Sequence, residues 1–229
     1  MKILVVTSCT GEKKHSNHPR LLTREDFECL NAPEFVNRER ELFGYNCRAE
    51  ELYTGQQHLR LMRGVKTFRE KFGSDSISLH ILSAGYGVVS GEQKIAPYEC
   101  TFQGMKAKEL RSWSDRLNVP QSIREVLAQP YDLGLVLLGD SYLKACDLDV
   151  SVNFGGPTIL FCGSTILSKL PTLSGLRKVA LTNQEAKRFS CGLVGLKGEL
   201  AKRTLLSFNG VASSLTSQPD ILDFLETVA

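Results

Sequence analysis

Five apolar runs organise the chain: KILVVTS (2–8), SISLHILSA (76–84), LGLVLLG (133–139), PTILFCG (157–163) and KVALTN (178–183). Each is short, rich in Val, Ile or Leu, and closes near Gly, Ser, Thr or Asn. The runs are continuous rather than alternating, the pattern of strands covered on both faces. Between them the apolar period lengthens to that of helices. Residues 105–117 carry Leu110, Trp113 and Leu117 on one stripe, and 122–128 follow suit. Residues 58–72 have a less complete face, with Leu59, Met62, Val65 or Lys66, and Arg69 as neighbours. Shorter helices are predicted over 141–148, 164–170, 184–190, 194–208 and 219–228, with Thr182-x-x-Glu185 as a capping box. The stretch 12–57 reads as irregular, a lid or substrate-binding insertion.

Strands alternating with helices predict a single α/β domain over 1–229. Its sheet should be central and mostly parallel, of about five strands, with helices on both sides in three layers. Ligands of such sheets bind beyond the carboxyl ends of the strands, so the residues after each strand are the first place to look for chemistry.

Composition adds boundaries. The seven cysteines are odd in number and form no C-x-x-C pair, which predicts free thiols in a reducing compartment. No apolar stretch approaches a membrane span and no secretory leader is convincing, so the expected location is cytoplasmic, with no membrane partner. The net charge of +3 is modest, but residues 169–203 hold eight Lys/Arg against Glu185 and Glu199, and residues 1–24 hold five against Glu12. Converging on one face, these segments would attract a polyanion; separately, they are solvated helix surfaces.

Four loops carry candidate chemistry. T-S-C-T-G-E-K-K-H (Thr7–His15), after the first strand, gathers hydroxyls, a thiol, a carboxylate, two ammonium groups and an imidazole. It lacks the spacing of a P-loop. L-S-A-G-Y-G (Leu82–Gly87) offers Ser83 and Tyr86 at a glycine bend, and Tyr98 closes I-A-P-Y. In L-L-G-D-S-Y-L (Leu137–Leu143), Asp140 is either a helix N-cap or a catalytic carboxylate, and Tyr142 is open in the same way. Ser164 and Thr165 of C-G-S-T are either an N-cap or a phosphate site. His15-x-x-His18 has no companion ligand at useful spacing, so no metal is expected.

Taken in order, S-C-T-x-x-K, E-L-Y-T-G (Glu51–Gly55), L-S-A-G-Y-G, P-Y and L-L-G-D-S-Y-L resemble a family of small bacterial and phage domains with the pattern S-C-[ST]-x-x-K … L-Y … S-A-x-Y-G-L … P-Y … G-x-x-Y. The resemblance covers roughly residues 1–145, and Val88 stands where the pattern has Leu. The first motif also resembles the P-C-S-x-x-K-P-Y stretch of archaeosine synthase, with Lys13 or Lys14 matching its lysine; the P-Y is missing here. The resemblance implies a uracil-DNA-glycosylase-like fold and chemistry on a nucleobase. Antiphage DNA glycosylases, which remove modified bases from phage DNA, are its functional model.

The resulting expectation is a nucleobase-directed N-glycosylase that leaves an abasic site, in antiviral defence. Glu12 or Asp140 would stabilise the positive charge that develops on the sugar, with Lys13 beside them. Thr7, Ser8, Cys9, Thr10, His15, Ser83, Tyr86, Tyr98 and Tyr142 would bind the extruded base. Ser164, Lys187, Arg188, Lys197, Lys202 and Arg203 would hold the phosphates of DNA, or of RNA. No cofactor is required. The alternatives are a non-catalytic DNA-binding stress or defence protein, and a hydrolase or transferase acting on nucleosides or tRNA bases.

Overall fold

The computed structural model of the chain describes residues 1–29, 32–216 and 218–228. In chain order its strands are β1 (Ile3–Ser8), β2 (Cys47–Arg48), β3 (Ile77–Ser83), β4 (Gly87–Ser90), β5 (Lys94–Ile95), β6 (Leu133–Leu137), β7 (Thr158–Gly163) and β8 (Leu176–Leu181). The helices are α1 (Arg24–Glu28), α2 (Pro33–Glu41), α3 (Ala49–Leu52), α4 (Gln56–Phe72), α5 (Ala107–Arg116), α6 (Val119–Ala128), α7 (Asp140–Cys146), α8 (Ser164–Leu167), α9 (Asn183–Arg188), α10 (Leu193–Ser207), α11 (Ser213–Thr216) and α12 (Ile221–Glu226). One six-stranded sheet runs β4-β3-β1-β6-β7-β8, and β2 pairs with β5 apart from it. All five apolar runs became parallel strands, β1 being paired on both sides from Ile3 to Thr7. Every residue of β1 and β6 is buried, which explains why these runs do not alternate.

α4 packs on α10, while α5, α6 and α7 pack on one another; with the right-handed crossovers general to parallel strands, this strand order sets the two groups on opposite faces of the sheet. The sixth strand, β4, is antiparallel to β3, with Ser83 opposite Gly87. The S-A-G-Y-G motif is therefore a tight hairpin, and Gly87 at φ 72° supplies the left-handed residue that closes it. The last strand lies two residues earlier than its apolar run suggests. The Thr182 box forms as expected: Gln184 N donates to Thr182 Oγ1, and Glu185 accepts from Thr182 N at 2.7 Å.

Residues 12–57 differ from the irregular insertion that the sequence suggests. They hold α1, α2 and α3, and they bury Phe27, Phe35, Leu42, Leu52 and Tyr53. The buried face of α4 is also different: it is Gln57, His58, Leu61, Gly64, Val65 and Phe68, while Leu59 is exposed. The polar members of this face are matched by partners: Gln57 bonds to Thr7 and to the Leu137 carbonyl, and His58 Nε2 lies 2.8 Å from the Glu50 carbonyl oxygen.

That helix pair crosses at glycines. A Cβ on Gly198 would stand 2.0 Å from the carbonyl oxygen of Gln57, and one on Gly64 would stand 2.7 Å from the Cα of Lys202. Only glycine lets the two backbones meet so closely. Beside the crossing, Glu199 is buried and held by Arg60 at 2.9 Å, Lys202 at 2.8 Å and Arg203 at 3.0 Å. Burial pushes its carboxyl up, but the hydrogen bonds from Lys202, Arg203 and Arg60 outweigh this and bring it down to about 2, against an ordinary 4.5. A depressed carboxylate stabilises the fold above its unfolded pKa and loses that contribution as pH falls toward the folded one. Glu199→Gln is thus expected to cost about 2 kcal/mol at neutral pH, after allowance for partly exposed partners. Urea unfolding checks this. The gap to wild type should narrow between pH 4.5 and 2, and a gap constant across that window would show that the charge network does not stabilise the helix pair.

Candidate active site

From β1 the chain crosses to β3 on one side, and β6 lies on the other. The loops leaving β1 and β6 therefore diverge and open a crevice at the switch in strand order. A cleft of 520 Å³ lies there. Its floor is Ser8, Cys9, Thr10 and Gly11 after β1, with Gly139, Asp140 and Tyr142 after β6. One wall is Gln57 of α4 with Leu193, Val194 and Lys197 of α10; the other is Glu99, Thr101 and Gln103.

The floor is held from below. Gln57 Nε2 donates to Thr7 Oγ1 at 3.1 Å and to the Leu137 carbonyl at 3.0 Å. A carbonyl can only accept, so the amide nitrogen faces the strands and Oε1 is left to accept from the cleft. Thr10 Oγ1 donates to the Glu12 carbonyl at 2.7 Å and accepts from Gly55 N at 3.2 Å, tying the first loop to the start of α4. Cys9 Sγ and Tyr142 OH are 2.9 Å apart. Burial raises the pKa of the Tyr142 phenol and the neighbouring Cys9 adds to this, so it stays a neutral hydroxyl.

Two groups give the cleft its charge. Gly139 is the N-cap of α7 and Asp140 its first residue, so the capping role open to Asp140 belongs to Gly139. Asp140 makes no hydrogen bond or ion pair among the described residues, and its Oδ1 would stand 3.3 Å from a Cβ on Gly163. Lys197 reaches in from α10 and donates to the Leu138 carbonyl at 2.7 Å. Burial pushes its pKa below the usual lysine value; Cys162 and Asp140 pull it partly back. Among the described residues no three His, Cys, Asp or Glu side chains are grouped to hold a metal ion.

A model of the family of unknown function DUF6884 matches residues 40–154, half of the chain. The chain belongs to this family. Curated proteins yield no match. The DUF6884 span includes β2 to α7, and with them the Glu51–Gly55, Ser83–Gly87 and Asp140 segments. It stops short of both the Ser8–Gly11 loop and Lys197, which complete the cleft from outside it.

Several residues singled out from the sequence lie elsewhere. Glu12 is exposed and outside the cleft lining. Lys13 is buried behind it, 3.6 Å from Glu99 and over the Tyr98 ring at 4.9 Å. His15 is exposed with its ring against Tyr45. Ser83, Tyr86 and Tyr98 form a supporting wall instead of a base-stacking surface. Ser83 Oγ donates to Tyr98 OH at 2.7 Å, Tyr98 and Tyr53 hydroxyls are 2.9 Å apart, and Tyr86 OH donates to Glu39 at 2.9 Å. Thr7 is likewise buried beneath the floor.

The basic segment is mostly self-paired. Arg188 binds Asp223 and Glu226. Lys202 and Arg203 bind Glu199, and Arg203 also donates to the Leu225 and Glu226 carbonyls at the end of α12 and to that of Val228 beyond it. Leu196, Leu200 and Leu205 pack inward, and the backbone that Gly198 admits is that of α4. Lys187 and Ser164 remain exposed. Conversely, Gln57, Glu99, Thr101 and Gln103 are cleft residues that the sequence did not single out. Glu99 had a signal, since it directly follows the P-Y turn; Gln57 had none, because its role depends on α4 facing the end of β6.

Proposed function

We propose that the chain cleaves the N-glycosidic bond of a nucleobase-bearing substrate held in the cleft. The observation that carries this reading is Asp140, a carboxylate without a partner among the described residues, open to a cleft at the switch in strand order. Breaking the bond develops positive charge on the sugar, and an unpaired carboxylate beside it stabilises that charge. The departing base gains electron density. Hydroxyls of Ser8 and Thr101 and the Gln103 amide can donate to it, while Gln57 Oε1 can accept from a base N–H. The volume suits one nucleoside-sized unit. The sequence resemblance to nucleobase-modifying domains supports the same chemistry. Incubation with nucleosides, nucleotides, and normal and base-modified DNA, followed by chromatography of released bases, tests it; no release from any of them would overturn it.

A second reading, that the substrate is a free nucleoside or nucleotide rather than a base within DNA, is favoured by the internal pairing of Arg188, Lys202 and Arg203. On this reading Lys202→Ala leaves DNA affinity and its salt dependence unchanged. If Lys202 holds a phosphate instead, the plot of log affinity against log salt flattens by roughly one unit. Titration at several salt concentrations separates the two.

A further inference from the structure

We propose that Lys197 is the nucleophile of the cleft, its amine bonding covalently to the anomeric carbon of the sugar. The inference rests on the N-glycosidic reading and adds to it the atom that attacks.

Lys197 differs from the lysines nearest the cleft and its flanking helix. Lys13 and Lys202 each have a carboxylate within ion-pair distance. Lys197 has none within 4.0 Å among the described residues, and one hydrogen bond, to the Leu138 carbonyl. An ammonium has three protons to donate, so two directions around Nζ are left to the cleft that Lys197 lines. Its anchor is the carbonyl one residue before Gly139, and a Cβ on Gly139 would stand 3.9 Å from Nζ. The amine is thus fixed against the end of β6, beside the loop that carries Asp140. The titratable groups that act on it are Asp140 from α7 and Cys162 from β7; both favour the charged form, and burial, the larger effect, favours the free amine. Desolvation of this kind raises the share of free amine, the nucleophilic form of lysine.

The step balances. Nζ bonds to the anomeric carbon as the glycosidic bond breaks, and the base leaves with that electron pair and one proton from Nζ. The sugar ring then opens: its oxygen takes the second Nζ proton, and an imine joins Lys197 to the sugar. Water hydrolyses the imine, returning the amine and releasing the sugar as an aldehyde. Asp140 stabilises the positive charge on the sugar and on the iminium form.

Reduction with sodium borohydride traps such an imine. The probe is 2-deoxyribose 5-phosphate, which supplies the aldehyde directly and does not require base release. Intact mass should show one sugar phosphate added per chain, and peptide mapping should place it on Lys197, with exposed lysines such as Lys66 unlabelled at the same concentration. Labelling at Lys197 should set in at lower pH than labelling at Lys66. Lys197→Met should abolish the adduct; because the mapping is done on wild type, the test stands even where that variant folds poorly. Labelling no greater at Lys197 than at Lys66 overturns the proposal. Base release without an adduct overturns it while leaving the N-glycosidic reading standing. An adduct without base release from any substrate supports the nucleophile and removes that reading.

Discussion

Replacing Asp140 by Asn should slow base release by at least about 10²-fold, the usual scale for a group aimed at developing charge. The substitution keeps the shape of the side chain and removes only its charge. The fold should survive it, because Asp140 makes no ion pair among the described residues and the N-cap of α7 is Gly139. What is lost structurally is one negative charge in the first turn of a helix, at most about 1 kcal/mol on a surface-facing group. Glu12→Ala is the internal control: its side chain is exposed outside the cleft, and base release should be unchanged. Turnover of both variants, with folded protein matched by circular dichroism, checks the pair. Equal rates in wild type and Asp140→Asn would remove the carboxylate from the chemistry.

Gly198→Val should destabilise the protein by about 3 kcal/mol or more, at the upper end of overpacking. In a chain of this size that lowers the melting temperature by roughly 10 °C. A Cβ at this position would meet the Gln57 carbonyl at 2.0 Å, and a helix backbone cannot give way as a flexible side chain does. The two helices must separate, taking with them Gln57 on α4 and Lys197 on α10, which form one wall of the cleft. Thermal unfolding measures the first effect. An unchanged melting temperature would show that the α4–α10 crossing is looser than its glycines imply.

The sheet was legible in the sequence because its strands are buried on both faces, and nothing but a continuous apolar run survives there. The carboxyl ends of the strands followed, and with them the Ser8–Thr10 loop and Asp140. Less legible was which carboxylate faces inward. Glu12 and Asp140 both follow strands, but the Glu12 carbonyl is pinned by Thr10 Oγ1 and by Thr54 N at 3.0 Å, and its side chain is left in solvent. Neither hydrogen bond can be read from local pattern. The helices α1, α2 and α3 have five, nine and four residues, too short for an apolar period to stand out. The basic segment misled for a different reason. Its compensating charges lie far off in sequence, Asp223 and Glu226 for Arg188, while Glu199 draws in Arg60 from α4 as well as its own neighbours. Net charge along a segment does not reveal where its counter-charges fold back.

Because Lys197 and most of one wall of the cleft are contributed by α10, the order of synthesis matters. A chain emerging from the ribosome has made β1, β6 and Asp140 well before α10 is available to dock on α4. Until then the crevice is open along that side, Gln57 has no helix behind it, and Asp140 faces bulk water. The proposed chemistry therefore waits for α10 to dock, and a chain that stops before α10 is expected to release no base.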